Sequence, residues 1–263
     1  MKIVNNILVI AAVASAMTAC KPDLLDTNPY DKVGSETMWG NETMCDMGVN
    51  GIYATLREAK VAHEMFTQDA MGFAGQARDP QALLNGTITA SNSLFSDTWK
   101  QLYEGIHRAN DAIFNLPGAP IDEAKKDRLM AESKFLRAYY YFRLNRVFQG
   151  VPVYLEPVED SECTNARETV DKVWEVILSD LNDCVNSTNL PNKYVGGDPN
   201  YGRVTKGAAY ALMGQTYMWM KDYPNAEKAL RKVGELGFAL FQGEYKQLFK
   251  EANEDCDEMI FSE

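Results

Sequence analysis

Residues 205–235 read TKGAAYALMGQTYMWMKDYPNAEKALRKVGE and decide the fold. The stretch divides near Lys221 into two segments. In each segment, apolar residues recur at the three- and four-residue spacing of an amphipathic helix. The pattern predicts two helices, from about Thr205 to Met220 and from Tyr223 to Glu235, joined by a tight turn.

The spacing within this hairpin is that of a tetratricopeptide repeat. Gly214 lets the first helix approach the second closely, and Ala226 is small where the helices cross. We expect Tyr217 and Leu230 to fill the groove between them. Because one hairpin cannot bury its own apolar face, it must stack on neighbouring helices. A generic helical hairpin is the alternative, and it is helical too. The positions that fit the repeat are Tyr210, Met213, Gly214, Tyr217, Ala226, Leu230 and Val233.

Upstream of the hairpin, the chain continues as amphipathic segments separated by turns. The predicted helices run from Ser35 to Lys60, from Ser96-Asp97 to Leu116, from Asp122 to Phe148, and from Val170, after the cap Thr169, to Asn186. The last two are the expected neighbours of the hairpin. We therefore predict an all-α fold of tetratricopeptide-like helical hairpins stacked in a right-handed superhelix with long irregular loops.

The first twenty residues are typical of a bacterial lipoprotein signal. Lys2 gives a positive start, residues 7–17 form an apolar run too short to span a bilayer, and two small residues precede Cys20. We expect cleavage before Cys20 and acylation of its thiol, with palmitate as an expected acyl group. Each buried methylene contributes about 0.8 kcal/mol to anchoring. An ordinary secretory signal with a chance cysteine is the alternative.

The expected domain organisation follows from that signal. Residues 1–19 are the signal peptide, 20–34 a lipidated tether, and 35–263 the helical domain. The tether is polar and acidic, and a lysine followed by acidic residues resembles a surface-export signal of glycan-foraging Gram-negative bacteria. We therefore expect the chain to be anchored in the outer membrane and to face the cell surface.

The composition limits the class of partner. At 46% hydrophobic and 24% charged residues, the chain has the balance of a globular protein with a core. Its formal net charge of −11 argues against nucleic acid as a partner and is compatible with neutral ligands such as sugars. No cofactor motif is visible.

Four cysteines follow Cys20 and carry no metal signature, because none forms a CxxC pair. We interpret them as buried free thiols, although the compartment would permit disulfides. They are Cys45, Cys163, Cys184 and Cys256.

Four blocks, in order along the chain, carry a family resemblance. They are 99–103 (WKQLY) with Ile106, Ala109 and Asn110; 132–142 (ESKFLRAYYYF) leading to 148–153 (FQGVPV); 166–170 (ARETV) with Trp174, Ile177, Asp180 and Leu181; and 203–209 (RVTKGAA) with the hairpin. With Cys20 in front, the set resembles the SusD/RagB family of nutrient-uptake outer-membrane lipoproteins. Members of that family continue into a second half beyond the point where this chain stops. The resemblance therefore implies a truncated chain that represents the N-terminal half.

The resemblance implies a binding protein rather than an enzyme. Family members sit as lids on a TonB-dependent, SusC-like transporter and capture oligosaccharides or, in some cases, peptides. A peptide- or protein-binding helical-repeat adaptor is therefore the alternative. A glycoside hydrolase would need two carboxylates about 5–10 Å apart. Such a pair is expected by chance among 37 acidic residues. Because the sequence shows no nucleophile elbow, phosphate loop or metal motif, we do not favour an enzyme.

The loop from Asp69 to Trp99 is the candidate ligand site, because long loops inside compact domains are usually functional. Sugar capture needs flat aromatic faces and polar groups for the hydroxyls. Phe95 could instead pack under the loop, and Trp99 is expected in the core. The candidates are Phe73 and Phe95 for stacking, and Gln76, Arg78, Asp79 and Asn92 for hydrogen bonds.

Arginines on the predicted helix 122–148 flank a run of aromatic residues. We expect Arg137, Arg143 and Arg146 to make structural ion pairs or to solvate the helix. Because Tyr139-Tyr140-Tyr141 spans more than one helix face, at least one of these rings belongs to the core.

Overall fold

Helices and the loops between them make up the described chain, which comprises residues 38–62, 86–158 and 163–261 of a computed structural model. No β-strand occurs in these ranges, and the predicted all-α fold is confirmed. None of their helices is long and apolar enough to cross a membrane. The α-helices are α1 (Glu42–Ala54), α2 (Ala59–Ala62), α3 (Ser93–Asn115), α4 (Glu123–Phe148), α5 (Val170–Asn186), α6 (Lys206–Trp219), α7 (Tyr223–Glu235) and α8 (Tyr245–Leu248).

Side-chain caps fix the start of the three central helices where the sequence predicts them. Asp122 accepts hydrogen bonds from the second and third N–H groups of α4, and Thr169 and Thr205 accept from the third N–H of α5 and of α6. At the other end of α4, Gln149 adopts a left-handed conformation with φ 60°. The predicted boundaries of α4 and α5 are thus confirmed.

The start of α3 differs from the prediction. The helix begins at Ser93, because Asn92 accepts the N–H of Leu94 at 2.9 Å and acts as the cap. Asn is as good a cap as Ser or Asp, so Ser96 and Asp97 lie within the helix rather than at its boundary.

The first predicted helix is also divided. Ser35 lies outside the described residues. α1 begins after the cap Asn41 and ends at Ala54, and the 3₁₀ turn Thr55–Arg57 follows. Glu58 is extended at ψ 137°, so the helical run does not continue unbroken to Lys60.

α4 forms the centre of the described core, with α3 and α5 against it and α1 against α3 and α4. Tyr140 and Tyr141 are fully buried, which confirms that part of the tyrosine run is core. A Cβ on Gly105 of α3 would lie 2.5 Å from the Tyr140 ring. The absence of a side chain at Gly105 therefore sets how closely α3 approaches α4.

The predicted hairpin is α6 and α7, with Lys221 at φ 62° in the turn. A Cβ on Gly214 would lie 2.5 Å from Leu230, and Ala226 is buried, so the close helix crossing is confirmed. Leu230 nevertheless remains 39% exposed and fills the groove only in part. Of the two expected neighbours, α5 carries most of the contact with the hairpin, through α6.

The three arginines of α4 make structural contacts, and the expected ion pair is present at Arg137. Arg137 forms a buried ion pair with Asp180 of α5, described below. Arg143 donates to the carbonyl of Val61 at 2.6 Å. The guanidinium of Arg146 lies 5.3 Å from the ring centroids of Phe142 and Trp219.

No disulfide joins the four described cysteines, and only two of them are buried. Cys45 and Cys184 lie in the core, and burial raises the pKa of both thiols. Cys163 is exposed and Cys256 is partly exposed, so the expectation of burial is wrong for these two. Both lie outside the helices that form the core.

Candidate functional site

The structure describes two of the six predicted ligand-binding residues. Phe73, Gln76, Arg78 and Asp79 lie outside the described residues, as does Cys20, and their roles stay predictions. The two remaining candidates, Asn92 and Phe95, lie together at the N-terminal end of α3.

Asn92 has a structural role at this end of the helix. Its side-chain oxygen caps α3, so the side-chain amide nitrogen is the atom that a ligand hydroxyl would meet. Phe95 is half-buried in the first turn of the same helix. The helix start thus presents one donor and one aromatic ring beside the candidate loop.

An aromatic row continues from Phe95 along α3. Phe95, Trp99 and Tyr103 are spaced four residues apart, which places them on one face of the helix. The ring centroids of Trp99 and Tyr103 are 4.9 Å apart, and Phe148 lies edge-on to Trp99 at 5.0 Å. Trp99 packs as the sequence predicts but is half-buried rather than fully enclosed.

Tyr154 extends this row beyond α3. Its ring is half-buried and lies 6.3 Å from that of Tyr103, in an edge-to-face arrangement. We call the row Phe95, Trp99, Tyr103 and Tyr154 the aromatic surface.

Tyrosine hydroxyls from α3 and α4 hold the backbone that carries Tyr154. Tyr103 donates to the carbonyl of Pro152 at 2.6 Å, and Tyr141 donates to the carbonyl of Tyr154 at 2.9 Å. The Tyr141 hydroxyl also accepts the N–H of Tyr154 at 2.7 Å. Burial raises the pKa of both phenols, so they remain neutral donors.

A buried ion pair supports the same segment from below. The guanidinium of Arg137 binds both oxygens of Asp180, at 2.8 and 2.7 Å. Its third nitrogen donates to Asn110 and to the carbonyl of Leu155. Burial alone would lower the pKa of Arg137, but the hydrogen bonds and charge of Asp180 outweigh it, and the pKa is raised.

Asn110 completes the support of this backbone. Its amide nitrogen donates to the carbonyls of Tyr154 and Glu156, at 3.0 and 3.2 Å. Side chains of helices therefore bind the carbonyls of Pro152, Tyr154, Leu155 and Glu156, and Asn165 binds that of Val153, so the segment is held without a strand partner. A fixed aromatic surface of this kind suits the apolar face of a sugar ring.

The sequence predicts only part of this surface. Tyr103 could be found from its four-residue spacing after Phe95 and Trp99. Tyr154 could not, because its position depends on hydrogen bonds from residues 13 and 44 positions earlier in the chain. Within the described ranges, no group of histidine, cysteine and acidic residues is arranged to hold a metal ion.

Comparison with known proteins assigns the chain to a family. The sequence model of one SusD-like family matches residues 23–218. The description of this family is starch-binding and associating with the outer membrane. The chain belongs to the SusD-like family. The resemblance carried by the four sequence blocks is thereby confirmed.

Individual SusD-like proteins agree in sequence and fold. SusD-like protein P25 of Formosa agariphila is 26% identical over 98% of this chain and 51% of its own length. The crystal structure of a SusD-like protein from Bacteroides fragilis matches 89% of this chain and 47% of its own, with 25% identity and a TM-score of 0.75. A laminarin-binding SusD-like protein matches 84% of this chain and 51% of its own, with 29% identity and a TM-score of 0.73.

Length separates the chain from these SusD-like relatives. It spans about half the length of the curated relatives it matches.

Proposed function

We propose that this SusD-like chain takes part in binding oligosaccharides at its aromatic surface. The observation that carries the proposal is the row of Phe95, Trp99, Tyr103 and Tyr154, held on a rigid support in a chain of the SusD-like family. Aromatic faces bind the apolar side of sugar rings, and the Asn92 amide supplies a hydrogen-bond donor. The named relative that binds laminarin makes this neutral glucan the first probe.

The same proposal includes the place of binding. The family description associates these proteins with the outer membrane. An acylated Cys20 would anchor the chain there, facing the cell surface, with bound oligosaccharide delivered to a TonB-dependent, SusC-like transporter. The chain acts in this role as a binding protein and not as an enzyme.

Two phenylalanines on α3 make a matched test of binding. Phe95→Ala removes a ring of the aromatic surface, whereas Phe114→Ala removes a ring that is 65% exposed near the other end of the same helix. Calorimetric titration with laminarin should show binding by the parent chain and by Phe114→Ala. Phe95→Ala should bind several-fold more weakly, since an aromatic contact contributes about 0.5–1.5 kcal/mol. Phe73→Ala tests the predicted loop in the same way.

Equal affinities of the Phe95 and Phe114 variants would overturn the site, and release of reducing ends from laminarin would overturn the non-enzymatic role.

Anchoring and delivery need a separate experiment, in which tagged protein on intact cells is surface-labelled and then pulled down in mild detergent. A co-purifying outer-membrane barrel supports delivery, and Cys20→Ala should abolish both labelling and capture. Retention of both by Cys20→Ala would refute the lipid anchor.

A further inference from the structure

An open groove of about 800 Å³ lies between α5 and the segment 153–158, and we call it the α5 groove. Its floor is the Arg137–Asp180 pair, and Tyr154 forms part of one wall. Sites for small molecules usually have volumes of about 300–1,000 Å³. The α5 groove is therefore large enough for a short oligosaccharide, and Tyr154 joins it to the aromatic surface.

The walls of the α5 groove are held by hydrogen bonds within the chain itself. The backbone of Tyr154 and Leu155 is bound by side chains of α3 and α4, and the floor is a bidentate ion pair. The facing wall is the 17-residue helix α5. A ligand would meet a preorganised surface, so little ordering of the protein opposes binding.

The lining combines apolar and polar groups in the way that sugars require. Val153 and Leu155 on one wall face Val176 on the other, which gives the C–H face of a sugar ring apolar contacts. Ser179 offers a hydroxyl for hydrogen bonds, and Asn165 offers its side-chain oxygen, since its amide nitrogen already donates to the carbonyl of Val153 at 2.8 Å. Leu155 is 46% exposed, so part of this apolar strip is open to solvent.

The basic groups in the α5 groove are neutralised by the protein itself. Each of the three cations of the lining is paired with an acidic neighbour. The pairs are Lys134–Asp183 at 2.5 Å, Arg137–Asp180 at 2.7 Å and Lys172–Glu175 at 3.0 Å.

Two further carboxylates line the same groove. Glu156 and Glu168 bring the carboxylates of the lining to five, against three cations, and Glu168 also interacts electrostatically with Lys172. The groove therefore carries an excess of negative charge, in a chain whose net charge is −11. Uronate or sulfate groups would be repelled, whereas uncharged hydroxyls can donate to the carboxylates.

We infer that the α5 groove is a second carbohydrate-binding site, which takes an uncharged oligosaccharide and excludes acidic glycans. This inference rests on the proposed function for the class of ligand. It names a second site, which shares Tyr154 with the aromatic surface but does not contain Phe95, and which can therefore be tested apart from Phe95.

A bulky residue on α5 tests occupancy of the groove. Ser179 is exposed and lines the groove, whereas Asn182 is exposed on the same helix and does not line it. In a Phe95→Ala background, laminarin should retain measurable affinity. Addition of Ser179→Trp should weaken that affinity about tenfold or more, and addition of Asn182→Trp should leave it unchanged.

Charge reversal tests the class of ligand. Glu156→Lys with Glu168→Lys should convert alginate, an acidic glycan, from a non-binder to a measurable ligand. The control is Glu227→Lys with Glu235→Lys, which changes the net charge equally on exposed residues outside the groove. This control should not bind alginate.

The outcomes separate this inference from the proposed function. Loss of affinity in Phe95→Ala, with no further effect of Ser179→Trp, overturns the second site and leaves the aromatic surface standing. Alginate binding by the parent chain as tight as laminarin binding overturns the selectivity. If the parent chain binds no neutral glycan from a panel of laminarin, maltooligosaccharides and xylan, both proposals fail.

Discussion

The hydroxyl of Tyr53 on α1 donates to the carboxylate of Glu132 on α4 at 2.9 Å. Arg203, just before α6, pairs with the same carboxylate oxygen. The Glu132 side chain is fully buried, so three distant parts of the chain meet at one buried charge. Removal of a partner should therefore cost more than loss of a surface contact.

Arg203→Met should destabilise the fold by up to about 3–5 kcal/mol, because it leaves the buried Glu132 charge with only the more distant Arg128, at 3.7 Å, as a cation. The matched control is Arg231→Met, which breaks an exposed pair with Glu227 and should cost about 1 kcal/mol or less. Urea unfolding followed by circular dichroism measures both. Glu132→Gln in the Arg203→Met background should recover part of the loss, and full additivity of the two changes would refute the coupling.

Asp127 should make stability sensitive to acid. Burial opposes its ionisation, but hydrogen bonds from Ser187, Thr188 and Asn189 outweigh burial and lower the pKa of Asp127. A lowered folded-state pKa gives stability that is present above the ordinary value of 3.8 and lost as pH falls through the folded-state pKa.

Asp127→Asn should therefore reduce the free energy of unfolding at pH 7 and have less effect at pH 3. Unfolding by urea at the two pH values measures this difference. The exposed carboxylate Asp171 provides the control, since Asp171→Asn should show little effect at either pH. A loss for Asp127→Asn that is equal at pH 7 and pH 3 would contradict the linkage.

Three helical glycines should respond differently to alanine. Gly105→Ala should lower the free energy of unfolding by about 1–3 kcal/mol, because the new methyl would meet the fully buried Tyr140 ring. This ring cannot move easily, since its hydroxyl donates a hydrogen bond to the carbonyl of Ile52. Gly214→Ala should cost less, since Leu230 is partly exposed and can move.

Gly51→Ala is the control for helix propensity. Nothing lies within 4 Å of the added atom, so the change should stabilise α1 by about 0.5–1 kcal/mol. Thermal unfolding ranks the three variants. A Gly105→Ala protein as stable as Gly51→Ala would show that α3 and α4 do not approach as closely as described.

The thiols should react in the order of their exposure. Among the four described cysteines, Cys163 should react first with a disulfide reagent, Cys256 more slowly, and Cys45 and Cys184 only after denaturation. The absorbance of the released thiolate measures the phases. Cys163→Ser should remove the fast phase alone, and rapid reaction of all four thiols would contradict the burial of Cys45 and Cys184.

Local sequence predicts the central helices well, because their boundaries depend on local chemistry. Thr169 caps α5 as predicted, and Asp122, from which the next predicted helix runs, caps α4. The start of α3 was harder to predict, since Asn92, Ser96 and Asp97 are all good caps and only the folded chain selects Asn92.

The candidate site is less predictable, because its residues come together only through tertiary contacts. Asn92 and Phe95 lie at the edge of the predicted loop, and their sequence positions suffice to select them. Tyr154 and the α5 groove arise where a segment without regular structure is bound by Asn110, Arg137 and Tyr141, and no local pattern specifies these long-range contacts.

The anchoring of residues 152–156 by distant side chains has a consequence for the order of folding. Neither a helix nor a strand can shape this segment locally, so it acquires its form only after α3 and α4 have docked. Amide hydrogen exchange at Tyr154, whose N–H is bound by Tyr141, should therefore report the opening of the α3–α4 pair. A chain whose secondary structure is complete but whose helices are not yet packed would have no wall at this position on which to hold a ligand.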